Sequence, residues 1–118
     1  MAVLTRDAIL GARDFEVKKI QVPEWGGEVC LRPLSCREVE LFQDELAERR
    51  MGNDRFSLAD LRASLLSKAL CDESGEPMFD AKDVISLGKK SHAVMDRLFA
   101  EARKLSGIDA TVEGDEKN

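Results

Sequence analysis

The sequence predicts an α+β chain, mainly α, in which about five helices pack with one N-terminal two-stranded antiparallel β-hairpin. Three observations predict it. A helix-start signal recurs four times, two runs rich in β-branched and apolar residues flank a Trp-Gly-Gly turn, and apolar residues recur at helical spacing in the long segments after Leu34.

The recurring signal is an apolar residue, then a capping residue, then an apolar residue four positions after the cap, which staples the chain around a helix N-terminus. Leu4-Thr5 with Ile9 predicts a short first helix. Next come Phe15 to Val22 and Glu28 to Leu34, which read as antiparallel strands of a hairpin at about 15–34. Their apolar positions switch parity between Phe15/Val17 and Ile20/Val22, so a bulge or twist is expected near Lys18 and Lys19. Pro33 cannot donate to a ladder, which predicts an edge position for the end of the second strand. At the hairpin tip Pro23 stiffens the approach, and Gly26 and Gly27 can supply positive φ angles. Trp25, the chain's one tryptophan, stands in that turn. It either folds back over one end of the small core, the preferred reading, or anchors a partner protein.

Leu34-Ser35 with Glu38 and Val39 forms a full capping box, opening a helix from Cys36 to about Arg50 that aligns Val39, Phe42 and Leu46. Phe56-Ser57 with Asp60 and Leu61 opens the next, Leu58 to about Cys71, aligning Leu58, Leu61, Leu65 and Ala69. Asp72 to Pro77 reads as a turn, and Phe79-Asp80 with Asp83 and Val84 starts a short fourth helix ending near Gly88. The last helix, about Lys90 to Leu105, presents Val94, Met95, Leu98, Phe99, Ala102 and Leu105, and Gly107 stops it. Residues 1–107 are thus expected to form a single globular domain. From Ile108 to Asn118 the apolar period is lost and four acids face one Lys117, a local charge of −3, so 108–118 is expected to be an acidic disordered tail.

Composition narrows the function. A chain of 118 residues can withdraw about two-thirds of its unfolded surface from water. It is 35% charged with a net charge of −5, no apolar run approaches membrane-spanning length, and no secretory signal is visible at the start. A cytoplasmic location is expected, with no membrane partner. Cys30, Cys36 and Cys71 are odd in number and read as reduced packing residues. The acidic balance argues against nucleic acid as a partner and leaves protein as the default.

Catalytic constellations are missing from the sequence. His92 is the one histidine and has no companion at metal-ligand spacing, so no metal and no cofactor are assigned. Gly88-Lys89-Lys90-Ser91 fails as a phosphate loop, because Asp83 stands where its first glycine belongs and Lys90 replaces the Ser or Thr. In Asp72-Glu73-Ser74-Gly75 the glycine comes too early for a calcium loop. No Gly-x-Ser-x-Gly elbow activates a serine. No catalytic residue is assigned, and the chain reads as a non-enzyme. Glu38, Glu40, Asp44, Glu45 and Glu48 read as the solvated face of one helix, with an acidic docking stripe as the alternative.

The ordered set Val22-Pro-Glu-Trp-Gly-Gly-Glu-Val-Cys-Leu-Arg, Ser35-Cys-Arg-Glu, Leu70-Cys-Asp-Glu-Ser-Gly-Glu-Pro-Met-Phe-Asp and Leu98 to Gly107 resembles the tail assembly chaperones of long-tailed, siphovirus-type bacteriophages. The resemblance implies a non-catalytic protein of the host cell cytoplasm, absent from the mature virion. It further implies binding to the tape measure protein and recruitment of tail tube subunits during tail morphogenesis. The tube protein is expected to be met through a longer form made by translational frameshifting, and Glu116-Lys117-Asn118 is compatible with a slippery codon run. The resemblance designates no catalytic residue; Pro23, Trp25, Gly26 and Gly27 are the candidate protein-binding residues, and self-association is left open. Two rival readings stand beside it. A small acidic adaptor or antitoxin shares the charge and the lack of chemistry. A helix-turn-helix regulator is disfavoured because Asp96 and Glu101 dilute Arg97, Arg103 and Lys104 on the closing helix.

Overall fold

The computed structural model describes residues 2–51 and 58–108. Within them the chain runs α1 (Arg6–Gly11), β1 (Lys18–Val22), β2 (Gly27–Leu31), α2 (Cys36–Met51), α3 (Leu58–Ala69), β3 (Leu70–Cys71), α4 (Val84–Leu87) and α5 (His92–Ser106), with single 3-10 turns at Pro23–Trp25 and Ala81–Asp83. The described residues are mainly helical, as expected. The sheet has three antiparallel strands in the order β1-β2-β3, so the expected two-stranded hairpin gains a partner.

That third strand is the main correction to the sequence reading, which extended the helix after Leu58 to Cys71. The helix stops at Ala69 because the carbonyl of Ala69 accepts from the N–H of Arg32 at 2.9 Å, and Leu70 and Cys71 then pair with Leu31 and Cys30. β2 is consequently the central strand rather than an edge, and it ends at Leu31, before Pro33 is reached. The expected bulge at Lys18 and Lys19 is also absent. β1 begins at Lys18 and pairs without interruption from Lys18↔Leu31 to Val22↔Gly27. Phe15 and Val17, whose parity suggested the bulge, precede the strand.

Capping behaves as the side chains dictate. The Thr5 hydroxyl accepts from Ala8 N–H at 3.2 Å, yet α1 buries none of its residues, and Val3, Leu4, Ile9 and Leu10 stay exposed. At α2 the reciprocal box closes: Ser35 Oγ accepts from Glu38 N–H at 3.1 Å and Glu38 Oε1 accepts from Ser35 N–H at 2.9 Å. Asp80 and Asp83 close a second box, although the turn it opens is 3-10 before it becomes α4 at Val84. The Phe56-Ser57 start and residues 109–118, expected as the tail, lie outside the described residues. α5 starts at His92, two residues later than expected, and ends on Gly107 at φ +72. There Ile108 N–H donates to Arg103 O and Gly107 N–H to Lys104 O, which caps the last carbonyls and carries Ile108 into the core.

α3 is the centre of the packing and touches α2, α4 and α5. Its Leu61, Leu65, Leu66 and Ala69 meet Phe42 and Leu46 of α2, Leu87 of α4, Val94, Leu98 and Phe99 of α5, and Val22 and Leu31 of the sheet in one apolar cluster. Arg32 is buried at the end of β2 and grips Glu38 with two hydrogen bonds of 3.1 and 2.8 Å, joining the sheet to the first turn of α2. Burial pushes the Glu38 carboxyl up, but the Arg32 fork, the Ser35 N–H and the Arg32 charge outweigh it and leave it below the ordinary carboxylate range.

Candidate functional site

Trp25 is set by its neighbours on both sides. Pro23 begins the 3-10 turn and Gly26 closes it at φ +81, its N–H donating to Pro23 O at 3.0 Å. Only Gly26 of the two glycines takes the left-handed conformation; Gly27 begins β2 with an ordinary φ, contrary to the expectation that both would supply positive angles. The turn is held to α5 by Arg97, whose guanidinium donates to both Glu24 oxygens at 3.1 Å and reaches Gln21 O at 3.5 Å. That paired hydrogen bonding keeps the Glu24 carboxyl below its usual range and raises Arg97. The ion pair ties the tip to α5 at the surface.

Trp25 is 37% exposed and forms one wall of a groove of about 340 Å³. Val29 and Leu70 line it from the sheet, Met78, Phe79 and Leu87 add further apolar lining, and Asp83, Ser86 and Lys90 supply its polar groups. Met78 is 58% exposed, and Ile85, on α4 beside Ser86, is 68% exposed. Two exposed large apolar side chains, Trp25 and Met78, thus line an apolar recess with few polar groups, the surface chemistry of a protein-docking site. Trp25 is among the exposed large apolar side chains and is not one of those packed against the core cluster.

Of the residues singled out from sequence, Pro23, Trp25, Gly26 and Gly27 do come together at one exposed tip. Met78, Phe79 and Leu87, which line the groove with Trp25, are not singled out by the sequence as its companions. A signal existed: Met78-Phe79 directly follows Pro77 at the end of a turn. The acidic stripe is divided by the fold. Glu38 and Glu45 turn toward Arg32 and the Ser64 hydroxyl, leaving Glu40, Asp44 and Glu48 exposed on α2.

The Asp72 turn is a self-contained structure. One oxygen of Asp72 accepts from Ser74 N–H, the Ser74 hydroxyl and Glu76 N–H at 2.9, 2.7 and 3.0 Å, and these bonds, the hydroxyl's foremost, lower its carboxyl. Gly75 sits there at φ +93, with the Phe15 ring and Arg13 where a side chain would go. His92 is exposed at the start of α5, and among the described residues no three His, Cys, Asp or Glu side chains converge as a metal site. No described helix is long and apolar enough to cross a membrane.

No curated protein matches this chain. The structure of the bacteriophage HK97 tail assembly chaperone is similar, with a TM-score of 0.59 and 25% sequence identity over 84% of this chain and 90% of that one. The model of the phage tail assembly chaperone family matches residues 5–118, from the cap of α1 onward, and the chain therefore belongs to that family.

Proposed function

We propose that this chain is a stoichiometric, non-catalytic chaperone that binds the tape measure protein through the Trp25 groove and helps recruit tail tube subunits, acting in the host cell cytoplasm and leaving before the virion is complete. Family membership implies interaction with tail proteins. The groove is the observation that carries the finer reading. A long apolar helical partner needs its exposed stripe covered, and Trp25 and Met78 offer an apolar contact of matching character. Weak contacts repeated along such a partner accumulate through avidity, while the net charge of −5 keeps the coated assembly dispersed.

Co-expression tests this directly. The tape measure protein of the same phage is expected to move into the soluble fraction with the wild-type chain and to remain insoluble with a groove variant such as Met78→Glu. A soluble fraction indifferent to this chain refutes the reading. Recruitment of the tube protein is assigned to a longer frameshifted form, and the gene decides it: a slippery heptamer at or just before the Glu116-Lys117-Asn118 codons, followed by an open overlapping frame, is the expected finding.

A further inference from the structure

The sheet brings two cysteines from distant parts of the chain face to face. Cys30 of β2 and Cys71 of β3 are direct cross-strand partners. Arg32 N–H donates to Ala69 O at 2.9 Å, and bonded pairs alternate with unbonded ones along an antiparallel ladder, so the Cys30–Cys71 pair falls in the bonded phase. Cα atoms at such positions stand about 5.5 Å apart, inside the roughly 4.4–6.8 Å that a disulfide spans, and opposed side chains leave the sheet on the same face. Their Cβ atoms, however, stand at the wide end of about 4.5–5.5 Å, so closing a bond requires the strands to approach by roughly 1 Å. Both thiols are free. Both also line an open pocket of about 600 Å³, with Lys19, Glu28, Ser74 and Met78 around them.

We propose that Cys30 and Cys71 form a redox modification site, which a small disulfide of the glutathione disulfide class closes to an intramolecular bond between β2 and β3. Cys30, at 9% exposure against 2% for Cys71, opens the reaction. Its thiolate attacks one sulfur of the reagent, the reagent's S–S bond breaks, and one thiolate leaves as a mixed disulfide forms. Cys71 then gives up its proton, attacks Cys30 Sγ and expels the second thiolate. The two protons lost by the protein end on the two released thiols; the protein is oxidised by two electrons and the reagent reduced by two. Burial, and next the neighbouring Cys30, push the Cys71 thiol up, consistent with its role as the second rather than the first nucleophile. Val29 and Met78 wall both this pocket and the Trp25 groove, so the bond would fix the strands beside the docking surface.

The test uses the full chain with Cys36→Ser, which removes the exposed third thiol, with circular dichroism verifying its fold. The variant and wild type are incubated with oxidised glutathione under native conditions, then denatured, alkylated and mapped by mass spectrometry. The expected product of the variant is lighter by two hydrogens and joins the Cys30 peptide to the Cys71 peptide. In the wild type the same link forms while Cys36 carries a mixed disulfide, and adding Cys71→Ser to the variant stops the reaction at a glutathione adduct on Cys30. If both Cys30 and Cys71 remain alkylatable after Cys36 of the wild type is fully modified, or if the linked peptide forms only in denaturant, the proposal is overturned.

Discussion

Met78 separates docking from folding more cleanly than Trp25 does. Its side chain is 58% exposed, and full burial of a methionine is worth about 1.5–3 kcal/mol, so covering the remaining area in a complex contributes about 1–1.5 kcal/mol. Met78→Ala is therefore expected to weaken partner binding about five- to tenfold. Met78→Glu is expected to weaken it by about a hundredfold or more, since it also strands a carboxylate in an apolar contact. Both changes should leave unfolding free energy within about 1 kcal/mol of wild type, as fits a residue mostly in solvent. Trp25→Ala mixes the two effects. With the residue 37% exposed, the change is expected to cost about 2–3 kcal/mol of stability, below the full-burial range of about 3–5 kcal/mol, because water fills the open side. The assay is built into the chain: Trp25 is its one tryptophan, so titration with tape measure segments that lack tryptophan is expected to shift the emission to the blue as the groove closes. Urea midpoints of the same variants supply the stability arm. An emission spectrum unmoved by a partner that demonstrably binds, or a Met78→Glu chain that binds with wild-type affinity, refutes the groove as the docking site.

Other expectations follow from the joints of the fold. Gly75→Ala is expected to lower stability by at least about 2 kcal/mol in denaturant titration, since φ +93 strains any other residue and the new Cβ would stand 3.0 Å from Phe15 Cε1. Glu38→Gln leaves the buried Arg32 without its charged partner and is expected to cost about 3 kcal/mol. The same carboxyl sets a pH dependence. Because its folded-state value lies below the ordinary one, its contribution is complete above the unfolded value of about 4.3 and is lost as pH falls through the folded value, so Glu38→Gln should flatten the acid limb of the stability profile. Ser35→Ala removes the hydroxyl that accepts from Glu38 N–H and is expected to cost about 1 kcal/mol by thermal unfolding.

How far the sequence could be read depended on whether each signal was local. Ser35 and Glu38 lie within one turn, and Gly107 acts on carbonyls of the turn before it, so those boundaries were legible to within a residue or two. The third strand was not. Leu70 and Cys71 continue the apolar period of the helix before them, and only the distant Arg32 N–H, taking the Ala69 carbonyl, turns them out of it. No window that omits β2 contains that information. The hairpin erred for the opposite reason: Phe15 and Val17 are β-like by composition, but they precede the strand, and Phe15 lies against Gly75 instead.

The same division explains the site. Trp25 drew notice alone because a tryptophan in a Pro-Glu-Trp-Gly-Gly turn is anomalous by itself, whereas Met78, Phe79 and Leu87 look ordinary in their own segments. They become a wall only when β3 joins the sheet and swings the Asp72 turn toward the hairpin, where Met78 N–H donates to Leu70 O at 3.3 Å. The strand hidden from the sequence is thus the element that both completes the groove and brings Cys71 opposite Cys30. A change that detaches β3 without unfolding the helices should therefore abolish docking and thiol pairing together, while Ser86→Glu, at a residue that lines the Trp25 groove and not the thiol pocket, should weaken docking alone. Measuring both in each variant distinguishes a groove built by β3 from a partner surface located elsewhere on the chain.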